Sequence, residues 1–116
     1  MFGGSVDEGP RNPPGNREFS ASELANYNGS DPEQPVYLAI KGTVFDVSKA
    51  RAMYTPPAGY SVFAGKDASR GLAKSSLKPE DCVANIDGLS EEETATLEKW
   101  DAFYRKKYDI VGKTID

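Results

Sequence analysis

Two short apolar runs near the middle of the chain have the composition of β-strands. Residues 36–40 and 43–47 are rich in β-branched and aromatic side chains and are separated by Lys41-Gly42. Strand-like runs joined by two turn residues that include glycine predict a β-hairpin. The closing segment, residues 111–115, is a candidate edge strand.

A longer helix is predicted in the last third of the chain. Ser90 and Glu93 have the spacing of a capping box, and Glu91 and Glu92 complement the positive end of the helix dipole. Apolar residues then recur at helical spacing and predict one core-facing stripe: Leu97, Trp100, Phe103 and Tyr104. Basic residues at 105–107 suit the C-terminal turn.

Two shorter helices are expected upstream. Ser20 and Glu23 form another capping box, for a helix that ends by Asn28-Gly29. A capped helix is also predicted to begin at Asp67. Gly71 inside it costs helix stability on the order of 1 kcal/mol, which predicts that some group, such as a ligand, approaches the backbone closely.

The chain divides into an N-terminal tail and one domain. Residues 1–16 are rich in glycine and proline and hold few apolar side chains, so we expect this segment to be disordered. Residues 17–116 are long enough for one modest core. The predicted elements describe a small α+β domain.

Composition excludes several classes of function. The net charge is −4 and the basic residues form no stripe, which argues against a nucleic-acid partner. The apolar runs are far shorter than the roughly 20 residues that span a bilayer, so we expect no transmembrane segment. A single cysteine, Cys82, permits no internal disulfide and suits the cytosol. We expect its side chain to be half-buried.

The chain contains no histidine. This excludes histidine-ligated zinc, Ser-His-Asp or Cys-His catalysis, and heme held by two histidines. We also find no paired acids, no nucleophile with a base and no phosphate-binding loop, so we predict that the protein is not an enzyme.

One set of residues resembles a known family. The order and spacing over residues 18–115 are similar to those of the membrane-associated progesterone receptor (MAPR) family, a branch of the cytochrome b5-like heme/steroid-binding fold. The resemblance rests on residues 44–48, Tyr54, residues 60–73, Lys107-Tyr108 and Val111-Gly112. Its most specific part is the unbroken run Phe-Ala-Gly-Lys-Asp-Ala-Ser-Arg at residues 63–70. Residues 55–59, Thr-Pro-Pro-Ala-Gly, depart from the usual Gly-Pro-x-Gly-Pro loop but keep the spacing of the flanking tyrosines.

The resemblance implies a heme site built on tyrosine. By that likeness, ferric heme b has Tyr60 as its axial metal ligand, and Tyr54 donates a hydrogen bond to the ligating oxygen. Lys107 and Tyr108 are implied to approach the heme, at its propionates. A phenolate is a hard anionic donor that favours ferric iron. With a single protein ligand, the iron should keep an open face that could meet a partner or a second heme.

The residues alone leave other interpretations open. Tyr54 is equally consistent with a core aromatic residue, and Lys107 and Tyr108 with an ordinary helix end. For Asp67 and Arg70 we favour capping and a structural ion pair over contact with a ligand.

Three functions compete. The family resemblance implies a non-catalytic heme protein that supports cytochrome P450 enzymes of sterol metabolism, in the cytoplasm or on the cytosolic face of the endoplasmic reticulum, with heme-dependent self-association as a further prospect. The alternatives are a b5-like electron carrier, and a steroid-binding or scaffolding module in which heme is incidental.

Overall fold

A four-stranded mixed sheet forms the centre of the computed structural model, which describes Gly9, Pro10 and residues 12–115. Its strands are Arg17–Phe19 (β1), Tyr37–Ile40 (β2), Thr43–Asp46 (β3) and Asp109–Thr114 (β4). The strand order is β1-β4-β3-β2; β1 runs parallel to β4, and the other neighbours are antiparallel. With the helices described below, this confirms the α+β prediction.

The predicted hairpin is confirmed as β2 and β3. Lys41 and Gly42 both have positive φ angles, 52° and 82°, the conformation that a two-residue turn of matching twist requires. Strand β2 begins one residue later than predicted, and β3 ends one residue earlier. Val36 and Val47 continue the pairing, since the Val47 amide donates to the Val36 carbonyl at 2.9 Å.

The prediction that the closing segment is an edge strand was wrong. β4 lies inside the sheet, because β1 pairs along its other side. Gly112 makes this possible: it faces Arg17, and a Cβ at residue 112 would lie 1.9 Å from the Arg17 carbonyl oxygen. Glycine therefore permits two backbones to approach closely here.

The helices are Ala21–Leu24 (α1), Ser69–Ala73 (α2) and Glu91–Lys107 (α3). Short 3₁₀ segments lie at Ala25–Tyr27, Ser48–Met53, Gly59–Phe63 and Pro79–Asp81. Both predicted capping boxes, at the starts of α1 and α3, are confirmed. None of the helices among the described residues is long and apolar enough to cross a membrane.

Helix α2 begins at Ser69, two residues after the predicted start. The Asp67 carboxylate accepts hydrogen bonds from the Ser69 amide at 3.0 Å and from the Gly42 amide at 2.9 Å. Ser69 Oγ in turn accepts from the Lys41 amide at 2.7 Å. Asp67 and Ser69 thus fasten α2 to the turn of the hairpin.

Side chains of the hairpin alternate between two apolar clusters. Leu38, Ile40 and Phe45 face the larger cluster, which α2 and α3 cover. Tyr37, Ala39 and Val44 face the smaller one, with Phe19 and Leu24. Because both faces are covered, all four residues of β2 are buried.

One member of the predicted stripe on α3 does not belong to the core. Leu97 and Tyr104 are buried and Trp100 packs against the main cluster, but Phe103 is 44% exposed. The stripe is therefore narrower than predicted.

The packed part of the chain begins before the predicted boundary at residue 17. The Gly15 amide donates to the Ile110 carbonyl at 2.7 Å, and the Asn12 amide group donates to Asp109 at 2.7 Å. The prediction of disorder for residues 1–8 and 11 lies outside the described residues.

Candidate functional site

A cleft of about 340 Å³ opens where the Gly59–Phe63 segment faces α2 and α3. This lies near the lower end of the roughly 300–1,000 Å³ typical of ligand pockets. The lining residues are mostly apolar: Tyr60, Phe63, Gly71, Leu72, Ser75, Leu77 and Trp100.

Tyr60 forms part of the cleft wall and is half-buried. A turn precedes it, in which the Ala58 amide donates to the Thr55 carbonyl at 3.0 Å and the Ser61 amide to the Ala58 carbonyl at 3.1 Å. The Tyr60 ring packs 5.4 Å from the Phe63 ring, between centroids. The loop at residues 55–59 therefore presents a phenol to an apolar cleft.

Tyr54 lies behind Tyr60 in the protein interior. Their ring centroids are 6.0 Å apart, and Tyr54 is only 2% exposed. Its hydroxyl forms a 2.6 Å hydrogen bond with the hydroxyl of Tyr104, in which either group can donate. Burial raises the pKa of Tyr54 above its ordinary value, so Tyr54 stays protonated well beyond neutral pH.

Tyr104 is the member of this group that sequence reasoning missed. We assigned it to the apolar stripe of α3 without a role for its hydroxyl. It is fully buried, and burial raises its pKa as well. No sequence signal would have revealed the contact, because 50 residues separate Tyr54 from Tyr104.

Tyr108 joins the same group, whereas Lys107 stands beside it. Tyr108 is buried, and its ring centroid lies 5.3 Å from that of Tyr104. Lys107 Nζ lies 5.4 Å from the Phe103 ring centroid and 5.7 Å from that of Tyr108. The structure thus connects Tyr60 to Tyr54, Tyr54 to Tyr104 and Tyr104 to Tyr108. Lys107 meets this cluster at the Tyr108 ring.

The close approach predicted at Gly71 comes from Cys82. A Cβ at residue 71 would lie 2.7 Å from Cys82 Sγ, so the protein's own packing requires glycine here. Cys82 is almost fully buried, deeper than we expected, and burial raises the pKa of its thiol. The thiol form is therefore favoured, and its role is packing.

Arg70 has a structural role, as expected, but with different partners. Its guanidinium donates to the carbonyls of Asn85 and Asp87 at 3.2 and 2.8 Å. These bonds hold the loop that precedes α3 against α2.

Comparison with known proteins shows which class this fold and cleft represent. The pattern of the cytochrome b5-like heme/steroid binding domain matches residues 20–110. A solved Arabidopsis thaliana protein with a cytochrome b5 like fold superposes with a TM-score of 0.79 at 40% identity, over the whole of both chains. The solution structure of a candidate steroid-binding protein from Arabidopsis gives 0.80 at 45% identity, over 88% of this chain and all of that one.

Relatives in sequence narrow the class. The chain is 46% identical over 98 residues to probable steroid-binding protein 3 of Arabidopsis thaliana, covering 84% of this chain and 98% of that one. It is 50% identical over 95 residues to membrane steroid-binding protein 2 of Oryza sativa. That match covers 82% of this chain but only 36% of the rice protein. The third relative, cytochrome P450 regulator dap1 of Schizosaccharomyces pombe, is 43% identical over 106 residues, covering 85% of this chain and 63% of that one.

The chain belongs to the cytochrome b5-like heme/steroid binding domain family. Its relatives in that family include proteins named steroid-binding and progesterone-binding proteins, which confirms the resemblance to the MAPR branch. Those relatives are named as binding proteins and not as enzymes.

Proposed function

We propose that the protein binds ferric heme b in the cleft described above, with the Tyr60 phenolate as its iron ligand. One observation carries the proposal: among the described residues that line the cleft, Tyr60 has the one side chain that can serve as a hard anionic oxygen donor. Heme would supply a ferric centre of low reduction potential when bound.

The donor set and the walls suit such a group. Phe63 and Trp100 offer aromatic surface to a flat macrocycle, and Leu72 and Leu77 offer apolar contact that excludes water. Behind the wall, the Tyr54 ring lies 6.0 Å from the Tyr60 ring between centroids, and a hydrogen bond between their hydroxyls would adjust the basicity of the ligating oxygen. Lys107 and Tyr108 remain the proposed partners of the heme edge.

A hemin titration tests the ligand assignment. We expect saturable binding with a high-spin ferric spectrum, and a loss of at least tenfold in affinity together with a changed spectrum in Tyr60→Phe, because the phenolate donor is absent. Tyr27→Phe is the matched control, since Tyr27 is also a half-buried tyrosine but packs in the smaller cluster. Full affinity and an unchanged spectrum in Tyr60→Phe would refute tyrosinate ligation.

We further propose that the heme form supports cytochrome P450 enzymes of sterol metabolism without catalysing a reaction itself, at the cytosolic face of the endoplasmic reticulum. The similarity to a relative named a P450 regulator supports this. Added to microsomes that contain a sterol-oxidising P450, heme-loaded protein should increase product formation, and Tyr60→Phe should not. Rapid reduction of the heme by P450 reductase would favour the electron-carrier interpretation.

A steroid is the second candidate ligand. The cleft is apolar, and several relatives are named steroid-binding proteins. Binding of progesterone to the heme-free protein at a stoichiometry near one, abolished by hemin, would place both ligands in the same cleft. Sedimentation with and without hemin would test heme-dependent self-association.

A further inference from the structure

Tyr104 is fully buried, including its hydroxyl. The Tyr104 ring lies among aromatic neighbours, 5.6 Å from Phe45 and 6.1 Å from Trp100 between centroids, contacts that a phenylalanine would make equally well. Its oxygen lies 2.6 Å from that of Tyr54. A buried hydroxyl costs stability unless it is hydrogen-bonded, so this contact is what makes tyrosine acceptable at residue 104.

The single hydroxyl proton of Tyr54 limits which neighbouring tyrosine it can donate to. A tyrosine hydroxyl donates one hydrogen bond and can accept others. Three phenols lie near Tyr54. The hydroxyl oxygen of Tyr104 is 2.6 Å from that of Tyr54, and the ring of Tyr108 packs against Tyr104 at 5.3 Å between centroids. The Tyr60 ring lies 6.0 Å from the Tyr54 ring between centroids. If Tyr54 donates to Tyr104, it has no proton left for Tyr60. If Tyr104 donates to Tyr54, the Tyr54 proton is free to point towards the cleft.

We propose that Tyr104 is a positioning residue for the heme ligand: it donates to Tyr54 and so directs the Tyr54 proton towards the oxygen of Tyr60. This inference rests on the proposed heme site. A phenolate oxygen is acceptor-only, so a neighbouring hydroxyl that has already satisfied its other partners is its natural donor. Donation into Tyr54 polarises its O–H bond and strengthens the bond that it makes in turn.

The effect of this hydrogen bond on the ligating oxygen of Tyr60 can be measured at the iron. A hydrogen bond withdraws negative charge from the ligating oxygen and weakens its donation to the metal. Removal of the Tyr104 hydroxyl should therefore move the tyrosinate-to-iron charge-transfer band to longer wavelength and make the reduction potential more negative. Tyr54→Phe should shift both in the same direction and further, because it removes the direct donor.

The experiment compares hemin-loaded wild type with Tyr104→Phe, Tyr54→Phe and the double variant. We expect the double variant to match Tyr54→Phe, since Tyr104 acts through Tyr54; a merely structural effect would add to it. Tyr37→Phe is the matched control. It also removes the hydroxyl of a buried tyrosine, but one that faces Arg17 in the smaller cluster, and it should leave the band and the potential unchanged.

A second variant keeps the test valid if Tyr104→Phe does not fold. With 3-fluorotyrosine in place of Tyr104, the hydroxyl remains and becomes a stronger donor, so the band should move to shorter wavelength. An unchanged band and potential in both Tyr104 variants, with tyrosinate ligation intact in the wild type, would overturn this inference alone. A wild type without a tyrosinate band would overturn the proposed heme ligand itself.

Discussion

At the scale of single residues, the unusual feature is a set of phenols in an apolar interior. Tyr54 and Tyr104 are buried and share a hydrogen bond, and burial raises the pKa of each. Burial also raises the pKa of Tyr37, on the other side of the hairpin. Since the ionised forms are disfavoured only in the folded state, stability must depend on pH in the alkaline range.

The direction in which the free energy of unfolding changes with pH follows from the raised pKa values. Below pH ~10, the ordinary tyrosine pKa, these side chains are neutral in both states and their contribution to stability is complete. Above it the unfolded chain loses protons that the folded chain retains, so the free energy of unfolding falls, by up to about 1.4 kcal/mol per pH unit for each tyrosine.

Urea unfolding between pH 8.5 and 11 should show this decline. In Tyr104→Phe the slope against pH should be smaller, because one of the responsible groups is gone. Equal slopes in wild type and variant would contradict the burial argument for Tyr104.

At the scale of elements, the central position of β4 depends on one glycine. Gly112 pairs with β1 on one side and with Val44 of β3 on the other. A Cβ there would collide with the backbone of Arg17, which cannot rotate away as a side chain could.

Gly112→Ala should therefore separate β1 from β4 and lower the free energy of unfolding by about 1–3 kcal/mol, the usual cost of overpacking. Lys113→Ala is the control, since Lys113 is the next residue of β4 and its side chain is exposed. Thermal unfolding followed by circular dichroism measures both. Equal midpoints for Gly112→Ala and wild type would show that the β1–β4 pairing tolerates a side chain.

At the scale of the whole molecule, the cleft is assembled from segments that are distant in sequence. The Gly59–Phe63 segment supplies Tyr60, α2 supplies Leu72, and α3 supplies Trp100. A ligand that binds this arrangement and not the unfolded chain must stabilise the fold.

Hemin at 100 times its dissociation constant should raise the free energy of unfolding by about 2.7 kcal/mol, as mass action requires. The increase should be much smaller in Tyr60→Phe, which lacks the proposed ligand, and unchanged in Tyr27→Phe. Thermal melts at several hemin concentrations measure it. An equal increase in wild type and Tyr60→Phe would indicate binding that does not depend on Tyr60.

Local sequence signals determined several elements of this protein. Both capping boxes, the hairpin turn at Lys41-Gly42 and the length of α3 depend on residues close together in the chain. Interactions between such neighbours can be predicted from the sequence alone. The absence of histidine likewise excluded histidine-ligated zinc and heme held by two histidines, and this needed only the sequence. The run at residues 63–70 pointed to the family, which the comparisons confirm.

Only the tertiary structure decided what depends on contacts between distant residues. It placed β4 inside the sheet, turned Phe103 towards solvent and assigned the close contact of Gly71 to Cys82. It also joined the hydroxyls of Tyr54 and Tyr104. Sequence periodicity reports which face of an element is apolar, but the partner that each side chain meets is set by how the elements pack.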